Sequence, residues 1–123
     1  MTATRSLTVV AAVSGALAVI IGAFAAHGAG PQVKPLLTTG GHYLLVHALL
    51  AVVCAVWPGR DRRIVIAGWL ALAGGLVFCL ALSLVALLGL SIMGAVAPIG
   101  GVLMISAWLL LAVAALRSQS TSA

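Results

Sequence analysis

Acidic side chains are almost missing from this chain. Asp61 is the only carboxylate side chain among 123 residues, and Asp, Glu, Lys and Arg together reach only 6%. A water-soluble domain carries about a quarter of its residues as these four types, because its surface must face water. Six basic residues and one acid cannot cover such a surface, so lipid is the solvent that suits this composition. The scarcity also excludes chemistry. A lone carboxylate in a basic loop leaves no Ser-His-Asp set, and Asp61 is expected to pair with a neighbouring arginine. No Gly-rich loop joins a strand to a helix and no CxxC occurs, so hydrolase, kinase and nucleotide-binding readings lack their parts. Cysteine is limited to Cys54 and Cys79, both inside apolar stretches. These positions predict small packing residues rather than a disulfide framework or a metal set. The expectation is a chain that is not an enzyme and holds no cofactor or metal.

Hydrocarbon is what the chain has in excess, with 64% of residues hydrophobic and a mean hydropathy of +1.34. A spanning helix needs about 20 apolar residues at roughly 1.5 Å rise each. Four stretches qualify within a single domain, 1–123: Leu7 to Ala26, His42 to Trp57, Ile64 to Leu88 and Ile92 to Leu116. Breakers separate them. His27-Gly28-Ala29-Gly30-Pro31 ends the first, Pro58-Gly59 ends the second, and an uncharged turn around Gly89 to Gly94 ends the third. The second stretch spans only narrowly unless Gly40 and Gly41 join it, and a re-entrant segment is its alternative. Pro98 should start or kink the fourth helix. The polar tail, 117–123, is too short and polar to fold alone. The fold class expected is all-α, a polytopic bundle of four transmembrane helices.

Orientation follows from Lys and Arg, which collect on the cytoplasmic side. With four spans, Arg5, Arg60, Arg62, Arg63 and Arg117 share one side and Lys34 stands alone on the other, so both termini are expected in the cytoplasm. Trp57 and Tyr43, at opposite ends of the second span, suit an aromatic belt. The net charge of +5 does not imply nucleic acid, since the basic residues sit singly or in one short run between apolar stretches. Arg5, the first apolar run and Ala23-Phe24-Ala25 imitate a secretory leader, but the run is longer than a leader core, so a retained span is expected.

Lipid tails are as apolar as leucine, so spanning helices associate through close packing of small residues. Ala67, Ala71, Gly75, Cys79 and Ser83 recur every four residues along the third span. Ala18, Gly22 and Ala26 repeat the pattern in the first span, and Ala97 with Gly101 in the fourth. These seams are expected to pack the bundle against itself or against a second subunit. The candidate polar residues are His27, Tyr43 and His47. His27 closes the first span, His42 opens the second, and His47 follows one to two turns later, four residues from Tyr43 and so on the same helix face. Ionisable groups in a membrane are costly and face the interior or a water path. Three histidines near one membrane face offer a metal site or a proton relay, against the plainer reading that His47 hydrogen-bonds a neighbouring helix.

Several segments carry a resemblance. Gly22-Ala23-Phe24-Ala25-Ala26-His27-Gly28, Tyr43 with His47-Ala48-Leu49, and Pro98-Ile99-Gly100-Gly101 with Trp108 resemble the small membrane proteins grouped as domain of unknown function 423, also catalogued as UPF0382. The likeness runs from about Val13 to Leu116 and extends to the eukaryotic transmembrane protein 256. It implies about four helices and a multi-pass place in a bacterial inner membrane, and brings no activity, substrate or cofactor. Leu44 replaces the glutamine usual after the tyrosine, and Ala97 replaces a threonine before the proline. Phe78-Cys79-Leu80-Ala81-Leu82-Ser83 is more apolar than the family's segment. His27, Tyr43 and His47 match.

The function expected is a structural or accessory membrane component. Its partners would be the lipid bilayer, a further copy or a larger membrane complex, with no nucleic acid. The alternative is a small oligomeric transporter or ion conduit using His47 and Tyr43.

Overall fold

The computed structural model describes residues 2–59 and 61–122, with side chains described as far as Arg117; Arg60 of the basic loop lies outside the described residues. Four long helices follow one another: α1 (Ala3–His27), α2 (Lys34–Ala55), α3 (Arg62–Leu88) and α4 (Ala97–Ser122), with a 3-10 turn at Ser91–Ala95 before α4. At roughly 1.5 Å per residue they measure roughly 33–40 Å, enough to cross a hydrocarbon core of about 30 Å. All four are also apolar enough to do so. The chain is an all-α, multi-pass membrane protein.

Local chemistry sets the helix ends. Thr2 caps α1, its Oγ1 accepting the Arg5 N–H at 3.2 Å. Asp61 caps α3 through Oδ1, which accepts the Arg63 N–H at 2.9 Å. The Arg63 guanidinium closes on the same carboxylate, Nε at 3.1 Å and Nη2 at 2.9 Å. The arginine partner expected for Asp61 is therefore Arg63. These side-chain bonds, and after them the capping N–H, hold the Asp61 carboxyl below the usual carboxylate range. At the far end of α3, Gly89 turns left-handed (φ 66°) and lets Leu90 N–H reach back to the Leu84 carbonyl, closing the helix.

Three boundaries differ most from the sequence expectation. The second helix begins at Lys34 rather than His42, because Pro35 sits in the first turn, where its missing N–H costs nothing. The helix-poor run Thr38-Thr39-Gly40-Gly41 is held by tertiary contact. The fourth begins at Ala97, after the 3-10 turn, with Pro98 in its first turn. It then runs to Ser122 through the residues expected as a tail, since propagating an established helix costs far less than starting one.

The helices pack in chain order, α1 on α2, α2 on α3 and α3 on α4, while among the described residues α1 and α4 make no extensive contact. Glycines set the close approaches. A Cβ on Gly41 would lie 3.3 Å from the Ala18 carbonyl oxygen and 3.5 Å from the Gly22 nitrogen of α1. One on Gly40 would lie 3.2 Å from the Cys79 Cα of α3. The neighbours Gly74 and Gly75 face different partners, as adjacent helical residues must: Gly75 meets Leu44 and His47 of α2, and Gly74 meets Gly100 and Met104 of α4. Ala67 and Ala71 are fully buried between α2 and α4 with Leu50, Cys54, Ala107 and Ala114.

Candidate functional site

Where α2, α3 and α4 meet, Tyr43, Phe78 and Trp108 form one cluster of rings with His47. Tyr43 and His47 lie one turn apart on α2 with nearly parallel rings, centroids 6.2 Å apart. Phe78 of α3 meets the Tyr43 ring edge-on at 5.3 Å, and Trp108 of α4 meets His47 at 6.0 Å. His47 is 4% exposed, one of two buried polar or charged residues among those described, with Ser14.

Both imidazole nitrogens of His47 are engaged. Nδ1 lies 2.7 Å from the Tyr43 carbonyl oxygen, and Nε2 lies 3.0 Å from Trp108 Nε1. A carbonyl only accepts and an indole N–H only donates, so the partners dictate the tautomer: Nδ1 carries the proton and Nε2 accepts. The ring is neutral in this arrangement. The bond to Trp108 also ties α4 to α2, two helices otherwise joined through α3.

The site differs from the expected histidine set. His47 lies 13 residues past Lys34 and eight before Ala55, roughly 20 Å and 12 Å along α2, and so near the membrane centre rather than its face. His42 is exposed and meets the Tyr43 ring edge-on, with centroids 6.1 Å apart. His27 is exposed in the last turn of α1, which takes no part in this cluster. Among the described residues no group of three His, Cys, Asp or Glu could hold a metal ion. The expected packing residues distribute as follows. Gly22 approaches Gly41, Gly75 and Cys79 face α2, and Ser83 is half-buried one turn past Cys79 on α3. The glycine against α3 is Gly100, whose Cβ would lie 2.6 Å from the Phe78 nitrogen; Gly101 has nothing within 4 Å and opens onto a groove. Trp108 and Phe78 stand outside the candidate site residues His27, Tyr43 and His47 expected from the sequence. The available signal was Trp108 itself, a donor in mid-span that must find an acceptor where there is no water.

Four membrane-crossing helices, tied near mid-bilayer by a neutral histidine–tryptophan bond, define a multi-pass membrane protein with a closed polar centre. Residues 21–101 match the family described as "Protein of unknown function (DUF423)", and the chain belongs to that family. It is 34% identical over 116 residues to the UPF0382 membrane protein YwdK of Bacillus subtilis (strain 168), covering 89% of this chain and 94% of that one. It is also 34% identical over 123 residues to a UPF0382 membrane protein of Haemophilus influenzae, covering 94% and 97%. A UPF0382 membrane protein of Staphylococcus epidermidis is 33% identical over 114 residues, covering 89% and 93%. No solved structure matches the chain. The family match takes in His27, Tyr43, His47 and Gly100 but stops short of Trp108.

Proposed function

We propose that this chain is a structural or accessory component of a bacterial inner (plasma) membrane, not an enzyme, with both termini in the cytoplasm and a larger membrane complex as its setting. One observation carries the reading. The buried ionisable group at mid-membrane spends both nitrogens on partners inside the fold, Tyr43 and Trp108, so it ties helices together and has no free lone pair for a proton path or a metal. The conduit reading with His47 and Tyr43 needs that free nitrogen. Membrane relatives in bacteria support the location. Arg5, Arg62, Arg63 and Arg117 at one end of the helices, against Lys34 at the other, support the orientation.

Tagged protein drawn from its native membrane in mild detergent and weighed by native mass spectrometry tests the reading. The expected result is a stoichiometric membrane partner. A chain isolated alone, which makes liposomes leak ions only while His47 is intact, would overturn it in favour of the conduit.

A further inference from the structure

His47 carries its proton on Nδ1 and accepts the Trp108 indole N–H at Nε2, so a second proton has only Nε2 to go to. There it meets another donor. An indole N–H cannot accept, so the doubly protonated ring and the bond to Trp108 exclude one another. Histidine is the side chain that ordinarily changes charge between about pH 5 and pH 8. The hydrogen bond between α2 and α4 therefore depends on the one kind of group that mild acid alters.

The bundle holds nothing to neutralise an imidazolium. On α2 the ionisable neighbours are Tyr43, stacked on the ring, with Lys34, His42 and Cys54 further along. To this site α3 brings Gly75 and Phe78; its own ionisable groups are Arg62 and Arg63 at its start and Cys79, which packs on Gly40 and Leu44. From α4 comes Trp108, and the only charge on that helix is Arg117, nine residues further, roughly 14 Å. Arg5 and His27 sit near the two ends of α1. The only acidic side chain, Asp61, precedes α3 and is held by Arg63. A buried cation without a counter-charge costs more than one lost hydrogen bond, so the charged ring cannot stay packed as the neutral one is.

The indole is the part free to move. Trp108 is 47% exposed against 4% for His47, and both line the groove between α2 and α4. Long helical side chains lean toward their own N-terminus, and on that side Gly101, about two turns earlier, has nothing within 4 Å of a Cβ. The α4 backbone is fixed, with Gly100 against the backbone of α3 and Ala107 and Ala114 buried with Ala67 and Ala71.

We propose that the His47–Trp108 pair is an acid-released latch. A proton taken up at Nε2 expels the indole N–H, and Trp108 turns off α2 while α4 stays packed on α3. Neutral, the pair ties α2 to α4; protonated, it presents a cationic ring to the groove near mid-membrane. The latch rests on the closed neutral pair that carries the structural reading above.

The full chain in lipid nanodiscs, with Trp57 and Trp69 replaced by Phe, isolates the Trp108 signal. Nitrogen-15 NMR of the indole and of His47 is followed from about pH 8 to about pH 5. The indole N–H should lose its hydrogen bond with the same midpoint at which His47 gains its second proton. His47→Gln keeps an oxygen that can accept the indole N–H and cannot titrate in this range, so its Trp108 signal should not respond to acid. His27→Gln and His42→Gln, both exposed positions, should leave the response unchanged. In Trp108→Phe nothing occupies Nε2, and the ring should take up its proton ~0.5–1 pH unit earlier on acidification; this keeps the test open should His47→Gln fail to fold. A bond that persists to about pH 5 would overturn the latch, and so would a response that survives His47→Gln or a midpoint indifferent to Trp108. A pair already unbonded at about pH 8 would overturn the structural reading together with the latch.

Discussion

Replacing Gly100 and then Gly101 by alanine, two neighbours in sequence, should give opposite results. A Cβ on Gly100 would sit 2.6 Å from the Phe78 nitrogen, 2.7 Å from the Gly74 oxygen and 2.9 Å from the Phe78 Cα. All three are backbone atoms of α3, so no side chain can swing aside. Restoring ordinary contact requires α3 and α4 to part by roughly 0.8 Å, and a gap of that size forfeits about a quarter to a half of the dispersion energy of each contact along the seam. Overpacking of this kind costs about 1–3 kcal/mol. The better helix propensity of alanine returns about 1 kcal/mol, leaving Gly100→Ala destabilised by up to about 2 kcal/mol. Gly101 has open space where its Cβ would go, so Gly101→Ala keeps the propensity gain and should be stabilised by up to about 1 kcal/mol. Equilibrium unfolding in mixed micelles, followed by circular dichroism and tryptophan fluorescence, measures both. Equal stabilities, or a Gly100→Ala more stable than the parent, would refute the α3–α4 crossing at these residues.

Three further outcomes are expected. Trp108→Phe leaves His47 Nε2 buried without a donor and should lower stability by about 1–3 kcal/mol; adding His47→Leu removes the orphan and should recover part of that loss, with a coupling energy of about 1 kcal/mol in the double-mutant cycle. Because Arg63 lowers the folded-state pKa of Asp61, its contribution is complete above the usual carboxylate range near pH ~3.9 and is lost as pH falls through the lower folded value, so that share of stability should be flat near neutrality and decline only below about pH 4. Asp61→Asn, which keeps a capping oxygen but has no carboxyl to titrate, should flatten that acid limb in the same unfolding assay. Cys54 and Cys79 are buried, so maleimide should leave both unlabelled in the folded protein, while a cysteine placed at exposed Thr4 should react with a membrane-impermeant reagent from the cytoplasmic side alone.

Apolar run length and scarcity of charge carried the membrane class, the helix number and the approximate spans. They failed where tertiary contact overrides local preference. Lys34 to Gly41 reads as a loop because threonine, glycine and an early proline disfavour a helix, yet Gly40 and Gly41 are where α3 and α1 come close enough to hold that turn. Rotational phase was also hidden. Lipid and neighbouring helices are equally apolar, so periodicity singles out no inward face, and Gly101 rather than Gly100 joined the small-residue pattern. Of the site, Tyr43 and His47 were legible as polar groups sharing one helix face. Their partner Trp108 comes from 61 residues further along the chain, and only the packing of α4 on α3 brings it across.

The most direct test of the closed polar centre is nitrogen-15 NMR of His47 in lipid nanodiscs. The account predicts a neutral ring protonated on Nδ1, with Nε2 accepting from Trp108 and that acceptor shift lost in Trp108→Phe. A ring protonated on Nε2, or one exchanging freely with water and indifferent to Trp108, would contradict it and return His47 to the candidates for a proton path.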